Sequence, residues 1–167
     1  MHHALKWYLA SAVLVILDQW TKALASTYLP LAEPVPIGPL FNLTLVHNTG
    51  AAFSLLNEAG GWQRWLFIVL ALGISAFIGV WLWRLPREKR WVACALALIL
   101  GGAIGNLWDR MMLGYVVDFI DIYYQDWHWP AFNLADAAIT VGAAMLVLDV
   151  IWLKNHRHAD GGRRLRG

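Results

Sequence analysis

The sequence predicts a membrane all-α protein, with four transmembrane helices and β structure in the loops outside them. Three observations carry this reading. The composition is 59% apolar and 14% charged, against about 45–50% and 25% in a soluble domain. Four stretches, at about residues 7–25, 65–83, 91–108 and 134–153, approach the roughly 20 apolar residues that cross a bilayer. Basic residues gather on alternate connections, as they do in a multi-pass chain.

Backbone amides inside lipid must be satisfied within their own segment, so each apolar stretch is read as a helix. The first follows Lys6 and contains Asp18 and Lys22 near its far end. A cleavable signal peptide is the alternative there, given the apolar run to Leu17 and the Ala23-Leu24-Ala25 triplet. Charges at Asp18 and Lys22, before the cleavage position, favour a span. In the loop over 26–64, Pro30, Pro34, Pro36 and Pro39 precede Phe41-Asn42-Leu43-Thr44-Leu45, whose alternation predicts a strand. Residues 55–64 suit a short interfacial helix. The second loop, 109–133, holds a run from Val116 to Tyr124 rich in β-branched and aromatic residues, a second strand. No repeat or domain boundary interrupts residues 1–167, and the basic tail from about 156 is expected to be disordered.

Lys6, the loop residues Arg84, Arg87, Lys89 and Arg90, and the tail residues Lys154, Arg157, Arg163, Arg164 and Arg166 would all lie on one side. The positive-inside rule puts that side, with both termini, in the cytoplasm. The long loops then face outward. The eleven tryptophans agree: Trp7, Trp81, Trp83, Trp91 and Trp152 mark one boundary, and Trp20, Trp62, Trp65, Trp108, Trp127 and Trp129 the other.

Against this apolar background two carboxylates stand out. Asp118 sits in Val116-Val117-Asp118-Phe119-Ile120, and Asp136 opens the fourth apolar run. A charged side chain at mid-bilayer costs about 2.5–3.5 kcal/mol on insertion scales, so membrane carboxylates usually have a use. Two that share a proton can activate water. Other polar residues cluster towards the same boundary. Asp18 and Lys22 are spaced i, i+4 and share a face, as an ion pair easing insertion, as a structural pair orienting the site, or with Lys22 as a base. Asn48-Thr49-Gly50 reads as a turn, or places Asn48 and the Gly50 backbone against a ligand. Gly101 and Gly105 form a small-xxx-small face for close helix packing. Asn106, Asp109 and Arg110 share one helix face, and Arg110 is free to pair with Asp109, a substrate carbonyl or a lipid headgroup. Asn133 and Asp136 share another. Asp121 and Asp126 are expected to be solvated.

Asp18-Gln19-Trp20-Thr21-Lys22, Asn48-Thr49-Gly50-Ala51-Ala52-Phe53, Gly105-Asn106-Leu107-Trp108-Asp109-Arg110, Val117-Asp118-Phe119 and Phe132-Asn133-Leu134-Ala135-Asp136 resemble, in order, the motifs of bacterial lipoprotein signal peptidase (signal peptidase II). The resemblance implies an aspartic endopeptidase of the bacterial inner membrane. It implies four spans, a small extracytoplasmic sheet and an interfacial helix. The substrates would be prolipoproteins, cut just before a diacylglyceryl-modified cysteine. Asp118 and Asp136 would be catalytic, and Asp18, Lys22, Asn48, Gly50, Asn106, Asp109, Arg110 and Asn133 supporting or substrate-binding.

Two other chemistries compete. A Ser–Lys peptidase would use Lys22 with Ser54 or Ser26, yet neither serine lies in a nucleophile motif. A proton-coupled transporter would spread charges at mid-depth over several spans and repeat its topology. The single cysteine, Cys94, lies in an apolar run, and the six histidines show no HExxH pattern, so no cofactor or metal is expected. Membrane lipids are the expected neighbours, nucleic acid is not an expected partner, and the chain is expected to be monomeric.

Overall fold

The computed structural model describes residues 3–50 and 61–164, with side chains described as far as Ile151. Among the described residues, four helices and four strands run in the order α1 (Leu5–Tyr28), β1 (Val35–Gly38), β2 (Phe41–Asn48), α2 (Trp62–Arg84), α3 (Arg90–Met112), β3 (Val116–Tyr124), β4 (Trp127–His128) and α4 (Leu134–Arg164). Three helical segments among the described residues are long and apolar enough to cross a membrane: Trp62–Arg84, Arg90–Met112 and Leu134–Ile151. The helices overrun the expected spans by a few residues, because hydropathy ends before hydrogen bonding does. The expected interfacial helix falls mostly on residues outside the described ones, and positions 62–64 belong to α2. Helix α4 runs on to Arg164, into the segment expected to be a disordered tail.

Helix α3 is central and packs against α1, α2 and α4. Its small residues make this possible. A Cβ on Gly101 would lie 2.8 Å from Leu14 of α1, and one on Gly105 would lie 2.5 Å from Asp18 Oδ2. These two are the small-xxx-small face, and it meets α1. A second face, Gly102, lies against the Ala135 carbonyl of α4, and Gly142 of α4 lies against the Ala95 carbonyl in return. The outward faces are apolar: Trp65, Val69 and Phe77 of α2 are each about two-thirds exposed, at 64%, 65% and 65%. A water-soluble helix does not present such a face to solvent.

The strands form one antiparallel sheet in the order β1-β2-β3-β4. Strands β2 and β3 were expected, and β3 has the expected bounds; β2 continues three residues past Leu45. A register irregularity in the β2–β3 pairing lies between Leu43 and Val46, after which Val46 pairs with Asp118 and Asn48 with Val116. The segment before α4 returns to the sheet: Phe132 N–H donates to the Ile120 carbonyl at 3.1 Å, and Ile120 N–H donates to that of Phe132 at 2.8 Å. This bridge sets the start of α4 beside the middle of β3. A small apolar cluster of Ala25, Leu45 and Val117 seats the sheet on the end of α1.

Asp121 corrects an expectation. It is 4% exposed, not solvated. Its Oδ2 accepts from Asn42 Nδ2 at 3.1 Å and from Thr44 Oγ1 at 3.2 Å, and His128 Nδ1 lies 2.9 Å from Oδ1. The register that pairs Asn42 with Asp121 gathers these groups, and neither strand shows it alone.

Candidate active site

Asp118 comes from the middle of β3 and Asp136 from the first turn of α4, and both line one cavity of about 850 Å³. That is within the usual range for a small-ligand site. Asn48, Asn106 and Arg110 line the same cavity, which continues along Ile139, Thr140 and Val141 of α4.

Asn133 is fully buried between the two carboxylates. Its Nδ2 donates to Asp118 Oδ1 at 2.7 Å and lies 3.2 Å from both Asn106 Oδ1 and the Val117 carbonyl. Its Oδ1 accepts from the Asp136 N–H at 2.9 Å, while its own N–H donates to Asp136 Oδ2 at 3.3 Å. The last two bonds form a reciprocal N-terminal cap, which satisfies amides that an α-helix leaves without partners. The cap that starts α4 therefore also orients Asp136.

The remaining oxygens are held from other elements. Asp136 Oδ1 accepts from Asn106 Nδ2 of α3 at 2.7 Å. Asp118 Oδ2 accepts from Asn48 Nδ2 at the end of β2, at 3.0 Å. Asn48 cannot present its oxygen instead, because that oxygen accepts from the Gly50 N–H at 3.0 Å. Arg110 donates to the Gly50 carbonyl at 3.1 Å and to the Asn106 carbonyl at 3.3 Å. It lies across the residues that flank Asp118 and Asp136 rather than in a pair with Asp109.

Asp109 instead joins Asp18 around Lys22. The ammonium lies 2.8 Å from Asp18 Oδ2 and 2.8 Å from Asp109 Oδ2, and donates to Asn106 Oδ1 at 2.9 Å. The i, i+4 pair in α1 is thus part of a buried cluster spanning two helices. The fold brings all ten expected site residues to this one end of the bundle. Gln19 was not among them. Its Nε2 donates to Asp109 Oδ1 at 2.8 Å. The signal available in the sequence was a polar side chain beside Asp18 in an otherwise apolar run.

Asp118 is 1% exposed. Burial, followed by the negative charge of Asp136, pushes its carboxyl up from 3.8 to about 7, against the opposing hydrogen bonds from Asn48 and Asn133 and the charge of Lys22. Among the described residues, no three His, Cys, Asp or Glu side chains converge as metal ligands.

Helices long and apolar enough to cross a membrane, beside a cavity lined by two carboxyl groups, mark a membrane protein with a candidate catalytic site. The family described as Signal peptidase (SPase) II matches residues 10–152. The chain is 55% identical to the lipoprotein signal peptidase of Teredinibacter turnerae over 149 residues, 89% of each chain. It is 51% identical to that of Pseudomonas aeruginosa over 160 residues, 95% of each. A solved structure described as a bacterial membrane enzyme superposes with a TM-score of 0.78 at 28% identity, covering 87% of both chains. The chain belongs to the signal peptidase II family, the lipoprotein signal peptidases, and is a protease of the membrane.

Proposed function

We propose that the protein is an aspartic endopeptidase in which Asp118 and Asp136 together activate water, and that it removes signal peptides from prolipoproteins just before a diacylglyceryl-modified cysteine. The observation that carries the chemistry is the two carboxylates lining one cavity, braced by one buried amide, Asn133. The substrate class comes from the family.

Asp118 holds the shared proton near neutral pH. Its raised pKa supports this, and the charge of Asp136 is one of the causes. In this reading Asp136 is the partner that accepts a proton. It lies in the first turn of α4, where the helix dipole favours an anion, and accepts from Asn106 Nδ2 and the Asn133 N–H. Asp136 takes a proton from water as the water attacks the scissile carbonyl. Asp118 donates a hydrogen bond to that carbonyl oxygen, and the proton that Asp136 took from water passes to the leaving amine as the peptide bond breaks. No acyl-enzyme forms. The apolar wall along Ile139 and Val141 suits an acyl chain, and the polar end at Asn48 and Arg110 suits the peptide.

In this reading α1 is a fourth span. Its 24 residues reach about 36 Å, and its Asp18 and Lys22 neutralise one another at the outer boundary. The whole chain is one peptidase domain, acting as a monomer among inner-membrane lipids, with both termini cytoplasmic and the cavity at the outer face.

The test is cleavage of a lipidated prolipoprotein by purified protein. Asp118→Asn and Asp136→Asn should each abolish cleavage while the protein stays folded. The double variant should be little worse than either single, because the pair acts as a unit. Near-normal turnover in either single variant would sink the aspartic mechanism.

A further inference from the structure

We propose that Lys22 is the positioning residue that sets the separation of Asp118 and Asp136. The inference rests on the reading of those two as the dyad.

Lys22 is 3% exposed and lies on α1, which contributes neither aspartate. An ammonium has three donors, and here each has an acceptor: Asp18 Oδ2, Asp109 Oδ2 and Asn106 Oδ1. Each of those acceptors leads to the dyad. Asp18 Oδ1 accepts from the Ala135 N–H at 2.9 Å, and Ala135 precedes Asp136. Asp109 Oδ2 accepts from the Val117 N–H at 3.1 Å, and Val117 precedes Asp118. Asn106 Nδ2 donates to Asp136 Oδ1 itself at 2.7 Å. The two carboxylates bound to Lys22 thus grip the backbone immediately before each member of the dyad. The third bond fixes which way the Asn106 amide faces, oxygen to Lys22 and nitrogen to Asp136.

A purely structural role explains this arrangement poorly. Buried ion clusters are weak stabilisers, since apolar residues of similar volume often hold a fold as well or better. The cluster sets two carboxyl groups against one ammonium. Gln19 and two backbone N–H groups complete it. What the ammonium supplies is a compact centre with three separate donors. A guanidinium, a planar fork, cannot reach these three acceptors in the same way. The centre ties α1, α3, the start of β3 and the start of α4 to one point. Reacting groups are sensitive to such ties, because a displacement of about 1 Å can cost about a hundredfold in rate.

The experiment compares Lys22→Arg, Lys22→Met and the triple variant Lys22→Met, Asp18→Asn, Asp109→Asn with wild type. The triple removes the buried charges together, and its amide oxygens can still accept from Ala135 and Val117. Turnover of a lipidated prolipoprotein is read per folded molecule, well below each variant's own unfolding midpoint. The expected result is a fall in kcat of about 10–100-fold, up to the loss that a misplacement of about 1 Å brings. KM should move little, and the loss should persist in the triple even where thermal stability returns. A wild-type kcat per folded molecule in any of the three, or a loss carried wholly by KM, overturns the proposal. Asp118→Asn is assayed alongside. If it turns over normally the dyad itself is wrong; if it is dead while Lys22→Met is normal, only the positioning role fails.

Discussion

Asp118 is held in a place that costs the fold something. A carboxyl whose pKa rises from 3.8 in the open chain to about 7 in the folded protein binds its proton more tightly when folded. Between those values the folded state holds a proton that the unfolded state has released. Stability therefore falls as pH rises through that window, and the loss is complete above the folded pKa. The full shift corresponds to on the order of 4 kcal/mol. Asp118→Asn removes this term but gives up one acceptor, since Asn48 and Asn133 both present donors to the carboxylate. One such bond is worth about 1 kcal/mol. The expected outcome is a variant that is inactive yet unfolds at a higher temperature than wild type at pH 8, with the gap narrowing at pH 5. Thermal unfolding in one detergent at both pH values measures it. A variant less stable than wild type at pH 8 would mean that the buried charge is compensated more fully than its surroundings indicate.

At the level of elements, helix contacts through glycine bring the site together. Gly102 of α3 meets the backbone of α4 at Ala135, one residue before Asp136, and a backbone carbonyl cannot swing aside for a methyl group. Gly102→Ala should destabilise the protein by about 1–3 kcal/mol, as overpacking does, and slow cleavage as α4 shifts. Gly73 of α2 is the control, because a Cβ there meets nothing within 4 Å. Gly73→Ala should leave turnover unchanged and add about 0.5–1 kcal/mol, the usual gain in a helix interior. Equal behaviour of the two variants would show that the α3–α4 approach is not tight. The sequence shows only part of this. Gly101 and Gly105 are legible as a packing stripe because they are four apart, but Gly102 lies off that stripe. Its partner is in another helix, and only the assembled bundle identifies it. The same limit hid the buried state of Asp121, whose donors Asn42 and Thr44 arrive by strand register. It also hid β1 and β4, which are too short to show a pattern. Asp118 and Asp136 were legible because an apolar chain makes every polar residue conspicuous. What they touch was not, since the braces come from residues as far apart in sequence as Asn48 and Asn133.

For the whole molecule, the candidate site and the basic α2–α3 turn occupy opposite ends of the bundle. The sheet, the cavity, the end of α3 and the start of α4 form one end. The α2–α3 turn, with Arg84, Arg87, Lys89 and Arg90, forms the other, and His3 bonds the Leu85 carbonyl there, so the start of α1 lies at that end too. Positive residues are retained on the cytoplasmic side during insertion, so the proposed orientation has the sheet and cavity facing outward. Two exposed positions report this: Glu88 in the α2–α3 turn and Asp126 between β3 and β4. Each is changed to cysteine in a Cys94→Ala background, so that one thiol is present. A membrane-impermeant maleimide added to intact spheroplasts should label Asp126→Cys at once. Glu88→Cys should be labelled only after lysis. Labelling of Glu88→Cys from outside would invert the molecule and place the two aspartates on the cytoplasmic face, where an enzyme acting on exported precursors would find its cleavage site on the wrong side of the membrane.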